Sequence, residues 1–312
     1  MAVFTGGWHG CSSRTRRDPA RESVKGRDLA LVAIINLAWA GNVLAVKYAV
    51  TAVPPVTAAA LRYTIVLLIA LPWLRVVRGR MPGLLGAALA QGALWIAFLN
   101  LSFAHASSIA ALSLVGQLGV PISLGLAVLL LGERVRLTRS LAVAGAVSGV
   151  AVIGFDPAIA NQGWPIALSI AAAFSYAIGA ILLRGMGGVH PFTIFAWIGL
   201  TAAPMLIAGS LLFEPGAIAA LPDASARGLT AIGYSALFSS LIGHAGATYL
   251  YGRYPVSTIA PLFIPSPVIG AALAVIVLGN PVTPRLIIGG AIVMIAVAVI
   301  TLRTNRSAQA AA

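Results

Sequence analysis

The chain has 312 residues, of which 60% are hydrophobic and only 9% are charged, and its net charge is +13. Seven acidic and twenty basic residues cannot cover the surface of a soluble protein of this size, so a soluble enzyme, a disordered chain and a secreted disulfide scaffold are excluded. Cys11 is the single cysteine, which excludes an internal disulfide and a thiolate metal cluster. The mean hydropathy of +0.98 predicts an all-α polytopic membrane protein.

Charged residues divide the chain into apolar intervals, which can be compared with the roughly 20 residues that a helix needs to cross a bilayer. The longest uncharged interval, Met81 to Gly132, is long enough for two crossings with a break near His105. We predict ten transmembrane helices in total. Their expected limits are 28–51, 55–77, 82–104, 108–132, 137–155, 163–184, 191–213, 227–251, 256–279 and 284–302.

Basic residues predict the orientation, because Lys and Arg in short loops remain on the cytoplasmic side. Sixteen of the twenty lie in the two tails or in alternate connections, whereas Asp156, Glu214 and Asp223 lie in the opposite connections. Both termini are therefore expected in the cytoplasm. Residues 1–27 are polar and aperiodic, which indicates a disordered tail or a misassigned translation start, and residues 304–312 form the second tail.

The positive charge favours anionic phospholipids as partners over nucleic acid. The basic residues are spread over six cytoplasmic segments, without the interleaved aromatic residues of a nucleic-acid site.

The two halves of the chain resemble each other at nearly constant spacing, which predicts a duplicated architecture. The matching segments are Trp39-Ala40 with Tyr176-Ala177, Pro55-Val56-Thr57 with Pro191-Phe192-Thr193, Ser108-Ile109-Ala110 with Thr258-Ile259-Ala260, and Leu131-Gly132-Glu133 with Leu278-Gly279-Asn280. We therefore expect two five-helix repeats, at 28–157 and 158–303. Because five is odd, the second repeat is inverted, as in transporters that expose one site alternately to each side.

Several of these segments resemble the EamA branch of the drug/metabolite transporter superfamily over roughly residues 28–303. They are Trp39-Ala40-Gly41-Asn42 through Lys47, Pro54-Pro55 through Leu61-Arg62-Tyr63, Leu131-Gly132-Glu133-Arg134, and Gly252-Arg253-Tyr254 through Ala260-Pro261. Within that branch the chain is most similar to exporters of cysteine and O-acetylserine. The resemblance implies a 5+5 fold that exports amino acids or related metabolites, expected in a bacterial inner membrane. In one departure, Asn280 replaces the carboxylate of the second Leu-Gly-Glu motif.

Polar and aromatic residues near the middle of the predicted helices are candidates for a substrate site. At about 1.5 Å per residue, Trp39 lies about 16 Å and Asn42 about 21 Å into the first helix. An unpaired amide or indole N–H facing lipid is costly, so these groups should point into the bundle. The predicted substrate-binding residues are Trp39, Asn42, Arg62, Gln91, Trp95, Gln117 and Tyr176. The alternatives are that the amides join helices and that the aromatic residues pack in the core.

Three charged or titratable residues have two interpretations each. Arg62 either recognises a substrate carboxylate or makes a structural contact, with helix-end carbonyls or by snorkelling. Glu133 and His244 are candidates for proton coupling. Glu133 otherwise forms a surface ion pair, and His244, expected in the cytoplasmic half of its helix, otherwise packs structurally.

Five prolines within predicted helices are candidate bending points for gating, or else fixed kinks: Pro121, Pro204, Pro261, Pro265 and Pro267. The sequence has no motif of a metalloprotease, serine hydrolase or phosphate-binding loop, which disfavours an intramembrane enzyme, and no cofactor or metal is expected. We therefore predict an exporter of a small metabolite, most simply an amino acid or derivative. A multidrug or cation exporter of the same superfamily is the alternative, and the oligomeric state is not predicted.

Overall fold

The computed structural model of the protein describes residues 24–131, 137–157 and 162–309. Within these ranges every regular element is helical, and the elements group into ten helical segments. In chain order the segments are α1 Gly26–Ala52, α2 Pro55–Trp73, α3 Met81–Ala104, α4 Ile109–Leu131, α5 Leu137–Gly154, α6 Gly163–Met186, α7 Pro191–Phe213, α8 Ala226–Arg253, α9 Val256–Leu278 and α10 Pro284–Gln309. The ten-helix prediction is confirmed; the largest differences are that α2 ends earlier and α10 later than expected.

The apolar character of these segments fits membrane spans. Eight of the ten are long and apolar enough by themselves to cross a membrane. Of the other two, α5 has a shorter apolar stretch, Ser140–Gly154, and α8 packs against α1 and α2 inside the bundle.

The helices pack as two interlocked sets of five, α1–α5 and α6–α10. In the first set α1 packs against α9 and α8, and in the second set α6 makes the equivalent contacts with α4 and α3. The pairs α2–α7 and α5–α10 join helices that occupy the same position in each set. This pseudo-twofold arrangement is the one expected for inverted repeats.

The third helix of each set is irregular at the same place. Ala88–Leu94 of α3 and Ser235–Ala245 of α8 are π-helical, and the two stretches begin at positions separated by the 147-residue offset of the Leu-Gly motifs. A π-helical stretch is rare and is frequently found at functional sites. Neither stretch was predicted from the sequence.

The predicted bending prolines lie at helix breaks, with one exception. Pro121 follows a 3-10 turn, Gly116–Leu118, in α4. Pro261 lies in the 3-10 turn Ala260–Phe263 of α9, and the second α-helical part of α9 begins at Pro265, two residues before Pro267. Pro204, in contrast, lies inside the continuous α7. A role for these breaks in gating stays a prediction.

Side chains from the opposite repeat satisfy the first amides of two helices. Both carboxylate oxygens of Glu214 accept hydrogen bonds from α2, one from Val56 N and one from Thr57 N, each at 2.8 Å. At the end of α9, Gly279 adopts φ 66°, a conformation that favours glycine, and Asn280 Oδ1 accepts from Ala110 N in α4 at 3.0 Å. The amide at 280 therefore provides an acceptor without a charge.

At the other end of the bundle, the start of α1 is fixed to the end of α8. Asp28 is 3% exposed; it accepts a hydrogen bond from Tyr254 Oη at 2.5 Å and lies 3.4 Å from Arg253 Nε. This is an ion pair between the two repeats. Because α1 and α8 also carry candidate site residues, the pair constrains one end of the site.

Candidate functional site

Three aromatic rings from both repeats surround the imidazole of His244. Its ring centroid lies 5.0 Å from that of Trp39, 5.3 Å from that of Trp95 and 6.2 Å from that of Tyr176. Trp95 and Tyr176 also contact each other edge to face, at 5.2 Å. We call these four residues the aromatic cluster; α1, α3, α6 and α8 each contribute one of them.

Glycines on α8 and α6 allow the close approach that forms this cluster. A Cβ atom added at Gly243 would lie 2.9 Å from Trp39 Cδ1, and one added at Gly179 would lie 2.6 Å from Gln91 Cβ. Such distances are too short for any larger residue. The π-helical stretches of α8 and α3 therefore pack directly on α1 and α6, which is the small-residue packing common between membrane helices.

Arg62 lies beside the aromatic cluster and is almost completely buried, with 2% of its surface exposed. Its Nε donates to Ser240 Oγ at 3.0 Å and its Nη2 to Ser239 Oγ at 3.4 Å. Its Cζ lies 5.9 Å from the ring centroid of Trp95. Serine hydroxyls, rather than helix-end carbonyls, hold the guanidinium inside the bundle, and its recognition of a substrate stays a prediction.

The structure brings together four of the predicted substrate-binding residues, namely Trp39, Arg62, Trp95 and Tyr176. Asn42 lies three residues beyond Trp39 on α1, and its Oδ1 is buried without a hydrogen-bond partner. Gln91 contributes its main-chain carbonyl, which accepts from Tyr63 Oη at 3.4 Å. Gln117 lies in the 3-10 turn of α4 and, within the described ranges, forms no hydrogen bond with the cluster.

His244 lies among the rings of the aromatic cluster. Its ring contacts those of Trp39 and Trp95, and its role in proton coupling stays a prediction. The π-helical stretch that contains it has more residues per turn than an α-helix, so each residue advances less along the axis. Glu133, the other coupling candidate, lies outside the described residues.

Two cavities differ in chemistry. The smaller, of about 10 Å³, lies between α1, α2, α3 and α8; we call it the outer cavity, and its lining residues are Val46, Ala49, Ala58, Arg62, Asn100, Ile232 and Ser235. The larger, of about 340 Å³, lies between α4, α9 and α10 and is lined by apolar residues such as Leu114 and Met294. The larger cavity therefore offers packing surface without a polar group for recognition.

The four members of the cluster are all partly exposed, and their role in substrate binding stays a prediction. No group of three or more His, Cys, Asp or Glu side chains that could hold a metal ion occurs in the described part of the chain. A ten-helix bundle of two inverted repeats is the architecture of a membrane transporter.

Comparison with known proteins identifies the family. The family model described as the EamA-like transporter family matches residues 28–155 and 163–302, so the chain belongs to that family and is a transporter rather than an enzyme. A curated relative from Salmonella typhimurium, a "Probable amino-acid metabolite efflux pump", is 27% identical over 283 residues, covering 86% of this chain and 92% of its own. A relative from Escherichia coli with the same description is 27% identical over 282 residues, covering 86% and 92%.

A solved crystal structure has a similar fold. Its TM-score is 0.61 at 20% identity, and the match covers 91% of this chain and 99% of that protein.

Proposed function

We propose that the protein exports an amino acid or a closely related metabolite across the bacterial inner membrane by alternating access, with both termini in the cytoplasm. The observation that carries the proposal is the aromatic cluster, because helices of both repeats supply its rings. A substrate held between the repeats contacts both of them, so its site opens to one side or the other as they move. The efflux pumps to which the chain is similar support the substrate class.

The cluster suits the side chain and amino group of such a substrate. Aromatic faces bind apolar groups and also attract an ammonium group. The free Oδ1 of Asn42, one helical turn from Trp39 on α1, is an acceptor for an N–H donor. We therefore place the substrate side chain among the rings.

We also propose that anionic phospholipids of the surrounding membrane contact the basic loops.

Export from proteoliposomes tests this function. Vesicles loaded separately with amino acids, O-acetylserine, nucleosides or lipophilic cations should release amino acids or O-acetylserine fastest. Trp95→Ala should raise the substrate concentration for half-maximal export about tenfold, because it removes stacking worth about 1.5 kcal/mol.

Trp164→Ala is the matched control, since Trp164 is 64% exposed on α6 and remote from the cluster. Release restricted to lipophilic cations would reject amino acid export and support the multidrug alternative. Aromatic rings favour that alternative, but the cationic Arg62 beside Trp95 opposes it.

We further propose that export runs down the substrate gradient without an obligatory proton. Proton-driven carriers commonly use an intramembrane carboxylate, and in the described ranges the buried Asp28 pairs with Arg253 at a helix end, away from the aromatic cluster. Efflux from loaded proteoliposomes should therefore be unchanged when a pH gradient is imposed at zero membrane potential.

His244→Gln and Glu133→Gln complete the coupling experiment. Accumulation against the substrate gradient, driven by pH and lost in either variant, would assign the coupling to that residue and reject the gradient-driven mechanism.

A further inference from the structure

Three polar groups without partners converge on the outer cavity. Arg62 Nη1, Asn100 Oδ1 and Ser235 Oγ are each buried and form no hydrogen bond, and all three residues line this one cavity. Each residue is at most 3% exposed, so bulk water does not satisfy these atoms. A buried polar group without a partner costs about 1–3 kcal/mol, and more when it is charged, which points to a ligand that completes the set.

Neighbouring contacts fix the chemical character of the three groups. Arg62 uses Nε and Nη2 on the serines of α8, so Nη1 is the donor left for the cavity. Asn100 Nδ2 donates to Pro55 O at 3.0 Å, so Asn100 turns its acceptor oxygen to the cavity. The cavity therefore offers a cationic donor, a hydroxyl and a neutral acceptor.

No carboxylate pairs with Arg62 within residues 24–131, 137–157 and 162–309. The serine hydroxyls that hold its guanidinium carry no charge, so an anion is the missing component. The volume of about 10 Å³ accommodates one oxygen atom of the size of a water molecule. A carboxylate oxygen meets both the charge and the size.

We propose that Arg62, Ser235 and Asn100 form the head-group subsite of the transporter, specific for a carboxylate whose α-carbon carries an N–H donor. One carboxylate oxygen enters the outer cavity and accepts from Arg62 Nη1 and Ser235 Oγ. The α-ammonium or amide N–H, on the next carbon, stays at the mouth of the cavity and donates to Asn100 Oδ1. The inference rests on the proposed function and deepens it, because it names the part of the substrate that is recognised on the outer side of the aromatic cluster.

Ser235→Ala is the decisive variant. Ser235 Oγ has no partner, so its removal leaves the fold intact and deletes one donor to the carboxylate. Export of valine, valinamide and N-acetylvaline is measured in proteoliposomes. The variant should need about tenfold higher concentrations of valine and N-acetylvaline for half-maximal export, because it loses one hydrogen bond to a charged group. Its export of valinamide should equal that of the native protein.

Ser169→Ala is the matched control, because Ser169 Oγ is also buried without a partner but lies on α6, away from the cavity. This control should leave export of all three compounds unchanged. An equal change for the three compounds in Ser235→Ala, or no change at all, would overturn the subsite and leave a bound water as the occupant.

A binding measurement separates the subsite from the proposed function. Thermal stabilisation of the purified protein by N-acetylvaline should be equal in the native chain and in Ser169→Ala, and should need about tenfold more ligand in Ser235→Ala. If native vesicles export no amino acid or derivative, the proposed function fails, yet this binding difference still decides the subsite. If valine and valinamide are exported equally well by the native protein, the subsite fails while the export function stands.

Discussion

Arg62→Met is expected to reduce export of amino acids about 100-fold while the protein stays folded. The substitution removes the charge and the donor, Nη1, that we assign to the substrate carboxylate, and a hydrogen bond between charged groups is worth about 1.5–3 kcal/mol. Methionine fills the volume of the arginine stem, and replacing a buried charged group by an apolar one of similar size is often neutral or stabilising. Export rate per folded molecule and the thermal unfolding midpoint are the two measurements.

Two further variants determine what a loss in Arg62→Met means. Arg62→Lys keeps the charge but lacks the planar fork, so its export should fall between the native and methionine values. Ile198 occupies the equivalent position of α7, and its Cγ2 would lie 3.0 Å from a Cβ added at Gly92 in α3. Ile198→Met should therefore leave export unchanged, and equal export by Arg62→Met and native protein would remove Arg62 from the site.

The pair Arg62 and Ile198 also shows how the two repeats have diverged. In the first repeat the guanidinium contacts Ser239 and Ser240 of α8, whereas in the second repeat an apolar side chain packs on a glycine of α3. The pseudo-twofold packing is kept, but this contact is polar between α2 and α8 and apolar between α7 and α3. A substrate with a charged head group therefore meets different surroundings towards the two ends of the bundle.

The fold was predictable from the sequence because hydrophobic length and charge position determine where membrane helices begin and end. The starts of α2, α5, α6, α7, α9 and α10 agree with the expected residues. Counting residues along each helix at the rise of an α-helix also selected Trp39, Trp95, Tyr176 and Arg62. All four lie in regular α-helix or directly after an irregular stretch, where such a count holds.

The remaining site residues depend on rotation about the helix axis, which such a count does not give. In the π-helical stretch Ser235–Ala245, a wider turn shifts both the level and the facing direction of each residue. Ser235 and His244 lie within it, and Ser235 was missed for that reason. Asn100 was missed because its value as a ligand arises from its hydrogen bond to Pro55 O, a contact between helices.

The contact between α5 and α10 leads to the second large expected effect, on stability rather than on substrate recognition. These helices cross at Gly149 and Gly289, where a Cβ added at Gly149 would lie 2.7 Å from Gly289 O and 3.0 Å from Val293 N. Main-chain atoms cannot rotate away, so even Gly149→Ala forces the two helices apart. We expect a loss of roughly 2–3 kcal/mol, as for overpacking of a tight core, and a lower thermal unfolding midpoint.

Gly145→Ala provides the comparison on the same helix, because a Cβ added at Gly145 would lie 3.8 Å from Ala296 Cβ, an ordinary contact. This variant should unfold at the native temperature. Neither α5 nor α10 contributes to the aromatic cluster or to the outer cavity, so the Gly149→Ala protein that remains folded should export with an unchanged half-saturation concentration. If Gly149→Ala instead changes the half-saturation concentration and keeps the native unfolding midpoint, the crossing affects the site without stabilising the bundle. That result would mean that the α5–α10 pair moves during transport.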